Sequence, residues 1–389
     1  MNLKRMPPKV LFKVFKSLKV KTDKNIQAFF ALFRAGLWEY ADANLNDKVD
    51  WQKVYQLAEE QSVVGLVLAG IECSYVKPSQ DLLLQWIGEV QILEQQNKAM
   101  NKFISDLVDK MRAAGIYSLL VKGQGIAQCY ERPLWRLPGD VDLLLSEDNY
   151  SKAETFLTPL ASHMAKEKQY NKHLAMTISD WEVELHGNLR CGLSAKIDRV
   201  LDSIKNDIFY GGSVRSWMNG RSQIFLPAEN GDVIYVFTHI LQHFYRGGIG
   251  LRQICDWCRL LWTFKDSLNH GLLESRIRKM GLMSEWKAFG AFAVDYLGMP
   301  SEAMPFYSDS WMWKRKADKI CTFILEVGNF GHNRDSSYFN KYPYVVRKVR
   351  SLGRRCGDLI RHARIFPMDS FRFLLHIFKN GIQAALRGE

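Results

Sequence analysis

The 389-residue chain is 47% hydrophobic and 24% charged, a mixture that allows a large buried core and argues for two or three domains. Its longest apolar run, VVGLVLAGI at 63–71, falls far short of the roughly 20 residues of a membrane-spanning helix, and the basic N-terminus lacks the uninterrupted apolar stretch of a secretory signal. The net charge of +12 sits at the ends: residues 1–24 carry eight Lys/Arg against Asp23, residues 341–389 carry eleven against three acids, and the middle sums to −3. Seven scattered cysteines, odd in number, fit a reducing cytoplasm better than a disulfide framework.

In chain order, KVLFKVFKSLKVK (9–21) places Val10, Leu11, Val14, Phe15 and Leu18 at helical spacing with lysines on the other face. Helical periodicity continues through about 26–115, and the last long stretch, 80–114, ends at Gly115, a plausible C-cap. Then the period changes. IYSLLVKG (116–123) and DVDLLL (140–145) read as strands. SEDNYSKAETFLTPLA (146–161) reads as a helix capped by Ser146 with acids in its first turn. WEVELHGNL (181–189) alternates as a third strand, and SQIFLP (222–227) as a short one. From about 229 the chain is helical to its end, with a loop near 330–343.

Two aspartates inside a buried strand demand an explanation. Asp is a poor strand former, and an unpartnered buried carboxylate is costly. Strand parity puts Asp140 and Asp142 on one face and Val141, Leu143 and Leu145 on the other. In the third strand Glu182, Glu184 and His186 share a face. If these strands are neighbours, the carboxylates converge, and like charges about 4 Å apart repel by roughly 4 kcal/mol at an effective dielectric of 20. A divalent cation removes that repulsion, and all-oxygen ligands suit Mg²⁺ or Mn²⁺. Such ions stabilise phosphoryl displacement. The structural alternative is a solvated Asp140, an Asp142 paired with Arg132 or Arg136, and a solvent-facing Glu184; Glu182, nearer the strand end, is the expected exposed residue.

Upstream, Lys122-Gly123-Gln124-Gly125 follows a strand and precedes a helix-like IAQCYE. Gly123 and Gly125 would let backbone amides approach phosphate oxygens, and Lys122 would add a point charge.

With LLVKG, Tyr130, Pro133, Arg136, GDVDLLL and VELHGNL, the chain resembles the uncharacterised nucleotidyltransferase family, a divergent branch of the polymerase-β-like nucleotidyltransferase superfamily. DWQKVYQLAEEQSVVGLV upstream and THILQHFYRGGIGLRQICDW downstream extend the likeness over about 30–265. The resemblance implies that Asp140 and Asp142 are the metal-binding DxD. Glu184 stands as the third carboxylate, a metal ligand or the general base on an acceptor hydroxyl. A nucleoside triphosphate would be attacked at its α-phosphorus with release of pyrophosphate. The superfamily's Gly-Ser after the first strand is replaced here by Lys122-Gly123, followed by Gln124, so Lys122, Gly123, Gln124 and Arg136 are the expected nucleotide contacts. The acceptor is open: a small molecule, a sugar phosphate, a protein or an RNA end.

Other signals are weaker. His239 and His243 share a helix face, as core histidines or as substrate contacts. Arg252 and Asp256 read as a structural ion pair. Cys255 and Cys258 form a lone CxxC, poor grounds for zinc. Trp135 either covers a base or packs. The basic ends could meet an anionic membrane or an acidic partner, or be solvated charged faces.

The expected fold is α+β and predominantly helical, with a small mixed-sheet nucleotidyltransferase core. The expected divisions are a basic amphipathic segment 1–24, a helical region 25–102, the α/β core 103–228, a helical domain 229–330 and a basic helical extension 331–389. The expected function is metal-dependent nucleotidyl transfer in the cytoplasm, with peripheral contact at the inner membrane surface as an option. The alternatives are a catalytically degenerate nucleotide-sensing or interaction module and a metal-dependent phosphohydrolase.

Overall fold

The structure, a computed structural model, describes residues 23–38, 43, 45, 49–329 and 357–386, with side chains as far as residue 376. The Lys-rich segment expected at 9–21, the loop expected at 330–343 and part of the basic C-terminal extension lie outside the described residues. The described chain is predominantly helical with one small mixed sheet, an α+β fold. It divides into two compact units. One comprises Met1–Gln91, Arg246–Cys255 and Glu285–Ile365; the other comprises Ile92–Tyr245, Asp256–Ser284 and Phe366–Glu389. No helix among the described residues is long and apolar enough to cross a membrane.

The described residues begin with α1 (Lys24–Trp38), α2 (Trp51–Glu60) and α3 (Val64–Glu72). The periodic stretch over 51–72 is therefore two helices, broken where Ser62 takes a left-handed φ of 59°. α4 (Gln80–Ala113) follows and ends at Gly115, whose φ of 73° no helical continuation tolerates.

The α/β part then runs β1 (Ser118–Val121), α5 (Gly123–Ala127), a 3₁₀ turn at Pro133–Trp135, β2 (Val141–Leu145), α6 (Glu147–Leu157), β3 (His163–Met164), β4 (His173–Ile178), β5 (Trp181–His186), α7 (Ala195–Phe209), β6 (Val214–Asn219) and β7 (Ser222–Pro227). Ser146 caps α6 as expected, its Oγ accepting from the Asn149 amide at 3.3 Å. Helices α8 (Glu229–Arg246), α9 (Leu251–Thr263), α10 (His270–Met280), α11 (Met283–Asp295), α12 (Trp311–Val327) and α13 (Pro367–Leu386) follow, with further helical residues at 357–363.

The sheet order is β1-β2-β5-β4-β3, with only the β2–β5 pair parallel. Beneath it lies an apolar core. Val141, Leu143, Leu145, Val183 and Leu185 join Met100, Ile104, Leu107 and Met111 from α4 and Tyr150, Ala153 and Leu157 from α6. The spacing of the α4 residues is that of one helix face. Strand parity therefore sends the even-numbered residues of β2 and β5 to the other face, where the carboxylates lie. β6 and β7 form a separate antiparallel hairpin. Strands β3, β4 and β6 and helix α7 are elements that the periodicity reading did not find.

Candidate active site

The central pair sets the geometry. In the parallel ladder Asp142 stands opposite Glu184, and in the antiparallel ladder of β4 and β5 His173 stands opposite His186. Directly opposed residues share a face. The β4–β5 end is pinned where Gly187 donates its amide to the Lys172 carbonyl at 2.7 Å. A Cβ on Gly187 would meet the Lys172 side chain at 2.7 Å, so a larger residue there would have to displace that side chain.

Asp140, Asp142 and Glu184 each offer a carboxylate oxygen, all within 4.8 Å of one another. Asp142 is 1% exposed. Its Oδ1 meets the Lys122 ammonium at 2.7 Å and His186 Nε2 at 2.7 Å, while its Oδ2 is buried without a hydrogen-bonding partner. Glu184 Oε2 lies 2.8 Å from His173 Nε2 and 3.4 Å from His186 Nε2. Glu182 on the same strand is exposed, as its position near the strand end suggested.

The charges are strongly coupled. The Asp142 charge, aided by burial, pushes the Asp140 carboxyl up to about 6. Burial works to raise Glu184, but the hydrogen bonds from His173 and His186 and the Lys122 charge overcome it and hold the carboxyl well below the ordinary range. Burial opposes the charge on Lys122, and Asp142, Asp140 and Glu184 together override it, keeping the ammonium protonated. His186 follows the same pattern: burial disfavours its charge, and hydrogen bonds to Asp142 and Glu184 raise it.

From α8, Tyr235, His239 and His243 form a stripe at four-residue spacing. Lys122 Nζ lies 5.9 Å from the Tyr235 ring centroid, and His239 and His243 place their Nε2 atoms 3.1 Å apart. Burial, the Lys122 charge and His243 push His239 well below its ordinary value, so it is neutral. His239 and His243 are expected from the sequence as core histidines or as substrate contacts, and burial of His239 beside Lys122 leaves both open. The periodicity reading missed His173, whose β4 strand it did not find, and Tyr235.

The expected nucleotide contacts separate into two groups. Lys122 sits among the carboxylates, and Gly123 is beside Asp140, whose carbonyl oxygen lies 3.3 Å from where a Cβ on Gly123 would be. Gln124 and Arg136 are instead committed to the fold. Gln124 is 3% exposed and donates to Asn97 Oδ1 at 2.7 Å. Arg136 is buried and grips Asp256 with Nε and Nη2 at 2.7 and 2.8 Å, while Nη1 donates to the Leu137 carbonyl at 3.2 Å. The Tyr130 hydroxyl adds a third bond to Asp256 at 2.8 Å. The ion pair of Asp256 is thus with Arg136, 120 residues away in sequence. Asn97 Nδ2 also donates to the carbonyls of Leu134 and Arg136 at 2.8 and 2.9 Å, so these buried groups hold the segment that leads to Asp140. Trp135 donates to Glu94 at 3.3 Å and stacks under Arg132. Cys255 and Cys258 are both buried.

The residues present fit a hard divalent cation. Three carboxylates supply oxygen donors, one buried oxygen of Asp142 is orphaned, and the Asp142 charge makes the ionised form of Asp140 costly. A cation bound among them satisfies the oxygen and removes the repulsion.

A search of curated proteins and a search of solved structures each gave no match. A protein-family model does match, over residues 47–298, a span that holds every residue of the carboxylate cluster. With that match and this cluster, the chain belongs to the uncharacterised nucleotidyltransferase family.

Proposed function

We propose that the chain moves a nucleoside monophosphate from a nucleoside triphosphate to an acceptor hydroxyl, releasing pyrophosphate. The observation that carries this reading is the convergence of Asp140, Asp142 and Glu184 on one sheet face in a chain of this family. Asp140, Asp142 and Glu184 would hold Mg²⁺ or Mn²⁺, which when bound neutralises charge on the phosphate oxygens.

The chain's own groups do the rest. Lys122 provides a fixed positive charge next to Asp142, suited to phosphate oxygens of the triphosphate. His173 and His186 hold Glu184 ionised, which suits its carboxylate to bind a cation; it becomes an effective proton acceptor for the acceptor hydroxyl only when those histidines release it. Arg136 and Asp256 keep the segment before Asp140 in place. Tyr235 and His239 give the site a wall of neutral ring groups beside Lys122. The acceptor is a small molecule, a sugar phosphate, a protein side chain or an RNA end. The basic termini are proposed to meet an anionic membrane surface or an acidic partner, a reading supported by their charge alone.

A second reading has one observation in its favour. Lys122 and His186 already stand on Asp142 Oδ1, so part of the carboxylate charge is balanced within the chain. That suits a nucleotide-sensing module without turnover.

Incubation with each α-labelled nucleoside triphosphate, Mg²⁺ and the four acceptor classes separates these readings. Transfer predicts label on an acceptor with pyrophosphate released, both lost in Asp142→Asn. Label released only as free nucleotide identifies a hydrolase. Binding without turnover identifies a sensor. Undiminished transfer by the Asp140→Asn/Asp142→Asn double variant overturns the proposal.

A further inference from the structure

We infer that the site face carries a second, nitrogen-rich corner, His173, Glu184 and His186, that binds a borderline-soft divalent metal such as Zn²⁺ or Co²⁺. This inference needs no nucleotide, though it shares Glu184 with the transfer reading.

The donor atoms are already gathered. His173 Nε2, a Glu184 carboxylate oxygen and His186 Nε2 lie within 4.8 Å of one another. His173 Nε2 lies 2.8 Å and His186 Nε2 3.4 Å from the same Glu184 oxygen, and His186 Nε2 also stands 2.7 Å from Asp142 Oδ1, a contact that it gives up when it turns to a metal. In a tetrahedral site with bonds of about 2.1 Å, donors stand about 3.4 Å apart. Small shifts therefore convert these hydrogen-bonded contacts into a coordination shell. Two imidazoles with one carboxylate form a donor set that zinc accepts with a further position open, whereas Mg²⁺ prefers oxygen alone.

The backbone supports the corner. His173 and His186 are register partners, and Glu184 lies two residues before His186 on the same strand face, opposite Ala175. Ala175 presents only a methyl group there, which leaves room between the three donors. The side chains of His173, Glu184 and His186 are 12%, 17% and 10% exposed, so the corner is sheltered but reachable.

Charge permits one such ion. Asp140, Asp142 and Glu184 against the Lys122 ammonium leave two negative charges when the histidines are neutral, and one divalent cation cancels them. Glu184 belongs to both donor groups. A hard ion is therefore drawn to the oxygen corner with Asp140 and Asp142, a softer one to the nitrogen corner, and the two compete for Glu184.

Metal uptake by the full-length protein, stripped with chelator, tests this. Co²⁺ is titrated and followed by its visible absorption, and Zn²⁺ by calorimetry. Wild type is expected to take up one Co²⁺ with the intense visible bands of a low-coordinate nitrogen-and-oxygen shell, and Zn²⁺ is expected to displace it. His173→Ala is expected to weaken both by at least about a hundredfold, because losing a ligand costs no less than losing an outer-shell partner. Asp140→Asn, which leaves all three donors in place, is expected to keep the Co²⁺ spectrum. Circular dichroism of His173→Ala checks that the fold persists, and His173→Gln serves if it does not. No uptake by wild type, or wild-type affinity in a folded His173 variant, overturns the inference. Loss of the spectrum in Asp140→Asn overturns it too, since the metal would then sit in the oxygen corner.

Discussion

Lys122 reaches Asp142 Oδ1 at 2.7 Å from a backbone at φ 59°, ψ −150°. That conformation belongs almost entirely to glycine, and a residue with a side chain pays about 1–3 kcal/mol to hold it. The chain keeps a lysine there, so the position of the ammonium outweighs the strain.

Two variants separate charge from backbone. Lys122→Ala loses the ammonium and keeps the strain, while Lys122→Gly loses both. Removing one partner of a buried pair costs about 3–5 kcal/mol, so both should be destabilised in chelator. The Gly variant should be the more stable of the two by about 1 kcal/mol or more. Denaturant titration measures the difference, and an Ala variant as stable as the Gly variant would show that the backbone is unstrained.

Arg136 is expected to matter for folding rather than for phosphate. Arg136→Ala leaves Asp256 buried with only the Tyr130 hydroxyl among the bonds described above, and should cost about 3–5 kcal/mol. Arg136→Lys loses the two-pronged grip and should be intermediate. Triphosphate affinity, measured by calorimetry below the melting transition, should be unchanged in the Lys variant. A stable Arg136→Lys that no longer binds triphosphate would return the guanidinium to the nucleotide.

The contrast between Lys122 and Arg136 shows what local pattern can and cannot carry. Parity in DVDLLL and WEVELH placed Asp140, Asp142, Glu184 and His186 on common faces because strand geometry is a local rule. The cap at Ser146 and the end at Gly115 are likewise local. Arg136 finds its partner at Asp256 across a separation that no periodicity records. His173 was hidden because HLAMTI alternates in burial yet includes Ala and Met, which favour helices. β3 is two residues long, too short for any period. β6 is half-exposed and stabilised by its hairpin partner rather than by an apolar face. Helix α7 does show the helical period, in Ile197, Leu201, Ile204 and Ile208, and was legible without being read.

The coupling between Asp140 and Asp142 predicts a pH dependence in metal-free protein. Below the unfolded value of 3.8 Asp140 is protonated in both states and contributes nothing. Between about 4 and about 6 the unfolded chain ionises while the folded carboxyl resists, so stability falls as pH rises, by about 3 kcal/mol in all. Above that window the penalty is constant. Glu184, depressed in the fold, works in the opposite sense as pH passes its ordinary range, so the comparison must be differential. The stability of Asp140→Asn minus that of wild type should grow from pH 4 to pH 6.5 and then level. A difference flat across that range would refute the coupling. Adding Mg²⁺ at pH 7.5 should raise the melting temperature of wild type more than that of the variant.

Gly125 offers the last test, of whether the glycines after β1 serve phosphate or packing. Its amide already donates to the Lys122 carbonyl at 3.1 Å, and a Cβ there would come within 2.7 Å of Leu226 Cδ2. Leu226 is 1% exposed, in the core under the sheet. Gly125→Ala should therefore cost about 1–3 kcal/mol by overpacking, and Leu226→Ala about 2–5 kcal/mol by the cavity it opens. Combined, the new methyl occupies space vacated by the leucine. The double variant should be less destabilised than the sum of the singles by at least about 0.5 kcal/mol. Triphosphate affinity in the double variant should match that of Leu226→Ala alone. Strict additivity of the two substitutions, joined to a loss of triphosphate binding wherever Gly125 is replaced, would instead show that the glycine is there to let the nucleotide approach the backbone.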